Sequence, residues 1–299
     1  MARREAGRDG APRGRRDRDP APPPPEPARE PEGRWVDGPA GRLFVHTAGE
    51  SGTPVLLLHG LAGSGEHWEA QLAALGERYR VAAPDLRVHG RSDAPADGDY
   101  SLAGYVADAL AVADALGFDR FVLAGHSLGA AVAAELAATH SERVLALDLV
   151  DPGGDVSDDP GLEATLADVA ADPRPSFTLH YREILHGGRP STRKRVLADL
   201  AAMPDAALAP GLAASMRFPM RARLAAYPGP KLCLAGPLND TPQGLPAQLP
   251  DLPVEWLAPA SHWLMLDRPE QTSWLLGQLV VAGAGAAGAR SASPAGARA

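Results

Sequence analysis

Short apolar runs punctuate this chain at intervals that leave room for a helix between most of them. Leu43–His46, Pro54–Leu58, Tyr79–Ala83, Arg120–Ala124 and Arg143–Leu149 come first, and Lys231–Ala235 and Pro253–Leu257 follow after a gap. Most are continuous rather than alternating, the pattern of strands covered on both faces, as in a parallel sheet. Helical segments fill the intervals: residues 66–77, Ser101–Leu116 and the stretch after Ser127. In the second of these, Ser101 is placed as an N-cap, and Leu102, Tyr105, Val106, Leu110, Val112, Ala113 and Leu116 mostly follow helical spacing. Repeated strand–helix–strand units predict an α/β fold with a mostly parallel central sheet and helices on both faces.

The alternation lapses between Gly153 and Pro230, where helical pieces occur without a convincing core strand. The expectation is a core of residues 35–152 and 231–282, closed by a helix over 269–281 and interrupted by a helical insertion over 153–230. Such insertions follow the carboxyl end of a strand, where ligands of α/β folds bind. The ends read differently. Residues 1–34 carry nine Arg, seven acids and eight Pro, and residues 283–299 are a Gly/Ala/Ser tract. Neither can bury enough apolar surface to offset the entropy of ordering, so both are expected to be disordered extensions. Arg3 and Arg4 are not followed by the apolar region an export signal needs, which makes a cytoplasmic location the expectation.

Composition narrows the function classes. A net charge of −8 argues against nucleic acid as the main ligand. The single cysteine, Cys233, excludes an internal disulfide framework and a multi-thiolate zinc site. Set among Leu232 and Leu234, it reads as a buried structural thiol. No apolar run approaches the ~20 residues of a membrane helix.

Chemistry enters at Gly125-His126-Ser127-Leu128-Gly129, a G-x-S-x-G motif lying after the apolar run 120–124 and before an Ala-rich helix over 130–138. In that context the serine sits on a tight strand-to-helix turn, with the helix N-terminus favouring negative charge beside its oxygen. Three further motifs accompany it: Leu58-His59-Gly60-Leu61-Ala62-Gly63, Pro84 through Ser92, and Ser261-His262-Trp263-Leu264-Met265-Leu266 before Arg268-Pro269-Glu270. In this order they resemble the α/β-hydrolase superfamily, in the serine-nucleophile branch with a helical cap, over residues 35–282.

That resemblance implies a catalytic set. Ser127 is the nucleophile, and a serine at this place sets the chain apart from the dehalogenases and epoxide hydrolases of the fold, which carry Asp there. The family's chain order of Ser, acid, His leaves His140, His180, His186 and His262 downstream of the serine; His262, between the last strand and the last helix, stands where the family places its base. Asp240 resembles the usual acid, in a loop one residue longer than the common form. Asp151, at the end of the run 143–149, is the alternative acid. The backbone N–H groups of Leu61 and Leu128 would form the oxyanion hole, while His59, Trp68 and Trp263 read as packing residues. Val88 stands where relatives usually have Gly. The expected activity is hydrolysis of a small to medium, largely apolar ester, thioester or lactone through an acyl-enzyme, with no metal or organic cofactor. Carbon–carbon bond hydrolysis, cofactor-free perhydrolysis and a slow-turnover ligand receptor use the same residues and stay open. The expected partner is a small-molecule substrate, not nucleic acid or a membrane, and nothing in the sequence fixes an oligomeric state.

Overall fold

The structure, a computed structural model, describes residues 32–291. Strands β1 (Glu32–Gly38), β2 (Gly41–Ala48) and β3 (Pro54–Leu58) lead into helix α1 (Glu69–Gly76). Strand β4 (Arg80–Pro84), helix α2 (Leu102–Ala115), strand β5 (Phe121–His126), helix α3 (Leu128–Thr139) and strand β6 (Val144–Val150) continue the alternation. Five helices follow without a strand: α4 (Leu162–Ala171), α5 (Pro173–Ile184), α6 (Pro190–Ala202), α7 (Asp205–Met216) and α8 (Met220–Ala226). Then come β7 (Lys231–Ala235), the short α9 (Leu245–Gln248), β8 (Val254–Trp256), the short α10 (Leu264–Asp267) and α11 (Pro269–Ser291).

The eight strands form one sheet in the order β1-β2-β4-β3-β5-β6-β7-β8, antiparallel where β2 pairs with β1 and β4 and parallel from β4 to β8. Every residue of β5 and β6 is buried, which is why these strands read as continuous apolar runs. Helices α1 and α11 cover one face, and α2, α3 and α8 the other. Ser101 caps α2, its Oγ accepting from the Gly104 N–H at 3.1 Å.

The chain builds outward on both sides of β3, to β4 on one flank and then to β5 on the other. The loops after β3 and β5 therefore lie side by side at the carboxyl edge, the topological switch point where ligands of such sheets bind. The helical insertion covers this edge. It is tied down where His67, in the turn before α1, meets Asp199 of α6 at 2.8 Å, and where Thr192 Oγ1 donates to Asp267 at 2.7 Å.

Two boundaries differ from expectation. Residues 32–34 belong to β1, which pairs in full register with β2 despite its glycines and charges, since edge pairing satisfies backbone groups whatever the side chains. Arg42 stacks over the Trp35 ring at 4.7 Å and completes that edge. At the other end, the expected Gly/Ala extension is helical as far as Ser291. Ala favours helix, and Gly283 lets α11 approach β6 so closely that an added Cβ would lie 3.0 Å from the Ala146 Cβ. Residues 1–31 and 292–299, which hold the rest of both expected extensions, lie outside the described residues.

Candidate active site

Backbone strain marks the site before any side chain does. Among the described residues, four non-glycine residues have positive φ: Ala62 (53°), Val88 (66°), Ser127 (53°) and Asp151 (44°). They follow, in order, β3, β4, β5 and β6, one at the carboxyl side of each central parallel strand. Such conformations cost about 1–3 kcal/mol each and cluster where function requires them.

At Ser127 the strain comes from the turn between β5 and α3, which has φ 53° and ψ −115°. The turn can close because Gly125 has no Cβ; one added there would meet the Gly129 carbonyl oxygen at 2.1 Å. Leu128 is the first residue of α3, so its N–H has no partner within the helix and points out at the helix's positive end. Gly60, in the loop after β3, lies so close that an added Cβ would be 3.1 Å from the Ser127 Cβ. Leu61 and Leu128 thus line one small compartment together with Ser127 and His262.

His262 follows β8 and reaches back over the sheet. Its Nδ1 donates to Asp151 Oδ2 at 2.7 Å, which leaves Nε2 for the cavity. The structure brings Asp151 to His262 and leaves Asp240, expected there, away from it. Asp240 is exposed on the turn after β7, and the carboxylate against His262 is the fully buried Asp151. The loop expected to supply the acid instead holds Asp151: the Gly236 N–H and the Asn239 Nδ2 each donate to Asp151 Oδ1 at 2.7 Å. The extra residue in that loop was the signal, since it moves Asp240 out of reach and puts Asn239 at the carboxylate.

His126, beside Ser127, donates from Nε2 to the His262 carbonyl at 2.9 Å and lies with its ring 4.5 Å from that of His262. Burial, then the nearby His262, holds His126 neutral well below the usual histidine range. His59 packs the loops as expected: Nδ1 donates to the Gly60 carbonyl at 2.8 Å and Nε2 accepts from the Leu86 N–H at 2.9 Å. Trp68 and Trp263 are both buried, and Trp263 also lines the small compartment. Cys233 is buried in β7, where burial and then Asp148 push its thiol up and keep it protonated. Among the described residues no group of three His, Cys, Asp or Glu could hold a metal ion.

A cavity of about 530 Å³ opens from Ser127 and His262 between the sheet and the helical insertion. Phe177, Ile184, Leu212, Phe218 and Met220 give it an apolar wall, and among the described residues no Lys, Arg, Asp or Glu lines it. His180 of α5 faces the same space, its imidazole shifted down by burial and then by His262. In the sequence His180 is one of the histidines downstream of Ser127 that fall in the insertion, with no motif around it.

A model of the alpha/beta hydrolase fold matches residues 53–181, and the structure superposes on a thermophilic esterase from Thermogutta terrifontis with a TM-score of 0.71. The chain is an α/β-hydrolase-fold protein. That superposition, at 24% identity, covers 84% of this chain and 99% of the esterase, and shows the fold. By sequence this α/β-hydrolase-fold chain is 40% identical over 111 residues to a Klebsiella pneumoniae protein named as a candidate carbamate hydrolase, RutD. It is 38% identical over 131 residues to the 2-hydroxymuconate semialdehyde hydrolase of Pseudomonas putida. These matches take in 37% and 43% of this chain and 42% and 46% of those proteins, so the chain spans less than half the length of each.

Proposed function

We propose that the chain is a serine hydrolase that cleaves a small to medium, uncharged, largely apolar carboxylic ester, thioester or lactone through an acyl-enzyme. Ser127 is the nucleophile, His262 the base and Asp151 the acid. The observation that carries this reading is the hydrogen bond from His262 to the buried Asp151 beside a strained serine, at the mouth of a cavity with no charged wall among the described residues.

The Ser127 hydroxyl attacks the carbonyl carbon as His262 Nε2 takes its proton. Asp151, held by two donors, fixes the tautomer and stabilises the imidazolium that forms. The carbonyl oxygen becomes an oxyanion that accepts from the Leu61 and Leu128 N–H groups, one such donor being worth about 10²–10³ in rate. Collapse expels the leaving group, which takes the proton from His262. Water, deprotonated in turn by His262, then cleaves the acyl-enzyme and regenerates Ser127. The cavity's volume falls in the range of about 300–1,000 Å³ usual for small-molecule sites. Its lack of Lys and Arg among the described residues speaks for a neutral substrate over an anionic one such as 2-hydroxymuconate semialdehyde, whose carboxylate would be buried there without a counter-charge.

The test is turnover of p-nitrophenyl esters from acetate to decanoate by the wild type and three variants. Ser127→Ala is expected to abolish turnover, and Asp151→Asn to lower kcat by about 10³–10⁴, the scale of losing the tautomer-fixing acid in a triad. Asp240→Asn should stay within about twofold, since its carboxylate reaches none of these groups. An Asp240→Asn variant as impaired as Asp151→Asn would overturn the assignment of the acid, and full turnover by Ser127→Ala would overturn the acyl-enzyme.

A further inference from the structure

We infer that Tyr181 is a positioning residue: from the helical cap it holds the oxyanion loop in its working conformation. This rests on the reading of Ser127 and the Leu61 N–H given above. Tyr181 lies on α5, and its hydroxyl donates to the Leu61 carbonyl at 2.6 Å across 120 residues of sequence. The side chain is buried, with its ring 5.3 Å from that of Trp263, which in turn lies 5.1 Å from the His262 ring. Burial pushes the phenol up, so the hydroxyl stays a donor throughout the working pH range.

The bond matters because of which peptide it grips. The Leu61 carbonyl belongs to the peptide joining Leu61 to Ala62, and Ala62 has a φ of 53°. A left-handed alanine costs free energy and persists only where its surroundings hold it. Fixing that peptide plane sets ψ of Leu61 and φ of Ala62, and so the direction of the Leu61 N–H one atom group away. A second contact grips the same residue. Gly211 of α7 lies over Leu61 so closely that an added Cβ would be 2.6 Å from Leu61 Cδ1. Two cap helices thus hold one residue of the core, by its carbonyl and by its side chain. The oxyanion hole is complete only with the cap seated, which couples cap closure to transition-state binding rather than to substrate access alone.

The experiment uses the full chain carrying Tyr181→Phe, Gly211→Ala or Ser127→Ala. It reads p-nitrophenyl butyrate kinetics, inhibition by an alkylboronic acid and thermal melting. The boronic acid adds to Ser127 Oγ as a tetrahedral anion whose oxygen occupies the hole. Tyr181→Phe is expected to lower kcat about tenfold, less than the 10²–10³ of a donor removed outright, because the Leu61 N–H is displaced rather than lost. KM should stay within twofold, and boronate affinity should weaken by the same factor as kcat. A rise in KM at unchanged kcat would make Tyr181 a substrate contact and overturn the inference. So would a fall in kcat with unchanged boronate affinity, the mark of a reduced folded fraction. If Tyr181→Phe does not fold, Gly211→Ala carries the same prediction alone: parallel losses in kcat and boronate affinity support it, and unchanged values overturn it. Residual full turnover in Ser127→Ala would remove the acyl-enzyme reading itself, whereas an inactive Ser127→Ala with an unimpaired Tyr181→Phe removes only the role of Tyr181.

Discussion

Val88 shows how a single residue can carry both a sequence clue and a structural cost. Where the family resemblance implies Gly, this chain places a β-branched residue at a φ of 66°, buried and with its N–H donating to the Asp93 carbonyl at 3.0 Å. Truncating a buried aliphatic side chain at ordinary φ costs about 2–5 kcal/mol, whereas relief of left-handed strain returns about 1–3 kcal/mol. Val88→Gly is therefore expected to cost about 1–2 kcal/mol in denaturant unfolding, net of those two effects. A loss of 3 kcal/mol or more would show that the strain is small. The departure at Val88 was legible in the sequence because glycine's conformational role is local. So were the places of Ser127 and His262 in the fold, whose motifs are local. Asp151 against Asp240 was marked only by the extra residue before Asp240, because which one reaches His262 depends on where two loops, 111 residues from it in one case and 22 in the other, come to rest over the sheet.

At the scale of elements, the parallel strands could be read from their apolar runs because burial on both faces leaves a signal in every residue. β1 could not: as an edge strand it is specified by pairing, not by its own side chains. β6 combines both situations. It reads as Val144-Leu145-Ala146-Leu147-Asp148-Leu149-Val150, and its one acid is fully buried, with neither carboxyl oxygen in a hydrogen bond. Burial pushes the Asp148 carboxyl well above the ordinary range, so the folded chain keeps a proton that the unfolded chain releases above pH ~4. Stability from this group is thus full below the unfolded value and is lost as pH rises toward the folded one. Asp148→Asn keeps the size and removes the ionisation. Its melting temperature should gain on the wild type between pH 5 and pH 8, and a gap that does not widen over that range would show that Asp148 is charged in the fold.

The whole molecule carries the opposite dependence on its acid side. His59, His89 and His126 are all buried at the carboxyl edge of the sheet, with the His59 and His89 rings 4.9 Å apart. Burial, then His89, holds His59 well below the usual histidine range; burial lowers His89 to about 4; and His126 is lowered by burial and His262. Each stays neutral in the fold while the unfolded chain takes up a proton near pH 6.5, so their contribution is intact above 6.5 and is lost as pH falls. One proton of difference is worth about 1.4 kcal/mol per pH unit. Near pH 5 the three histidines outweigh the opposing proton on Asp148, which predicts that stability falls as pH drops from 7 to 5. Denaturant unfolding at pH 7, 6 and 5 reads this slope directly. Replacing His89 by Phe should remove one proton from it, flattening the slope by about 1.4 kcal/mol per pH unit while lowering stability at pH 7 through the lost bond from its Nδ1 to the Arg87 carbonyl. A wild-type stability that is level between pH 7 and 5 would mean that these histidines reach water and protonate within the fold. The loops they pack, which carry Leu61 and Val88, would then be open to solvent rather than closed over the sheet.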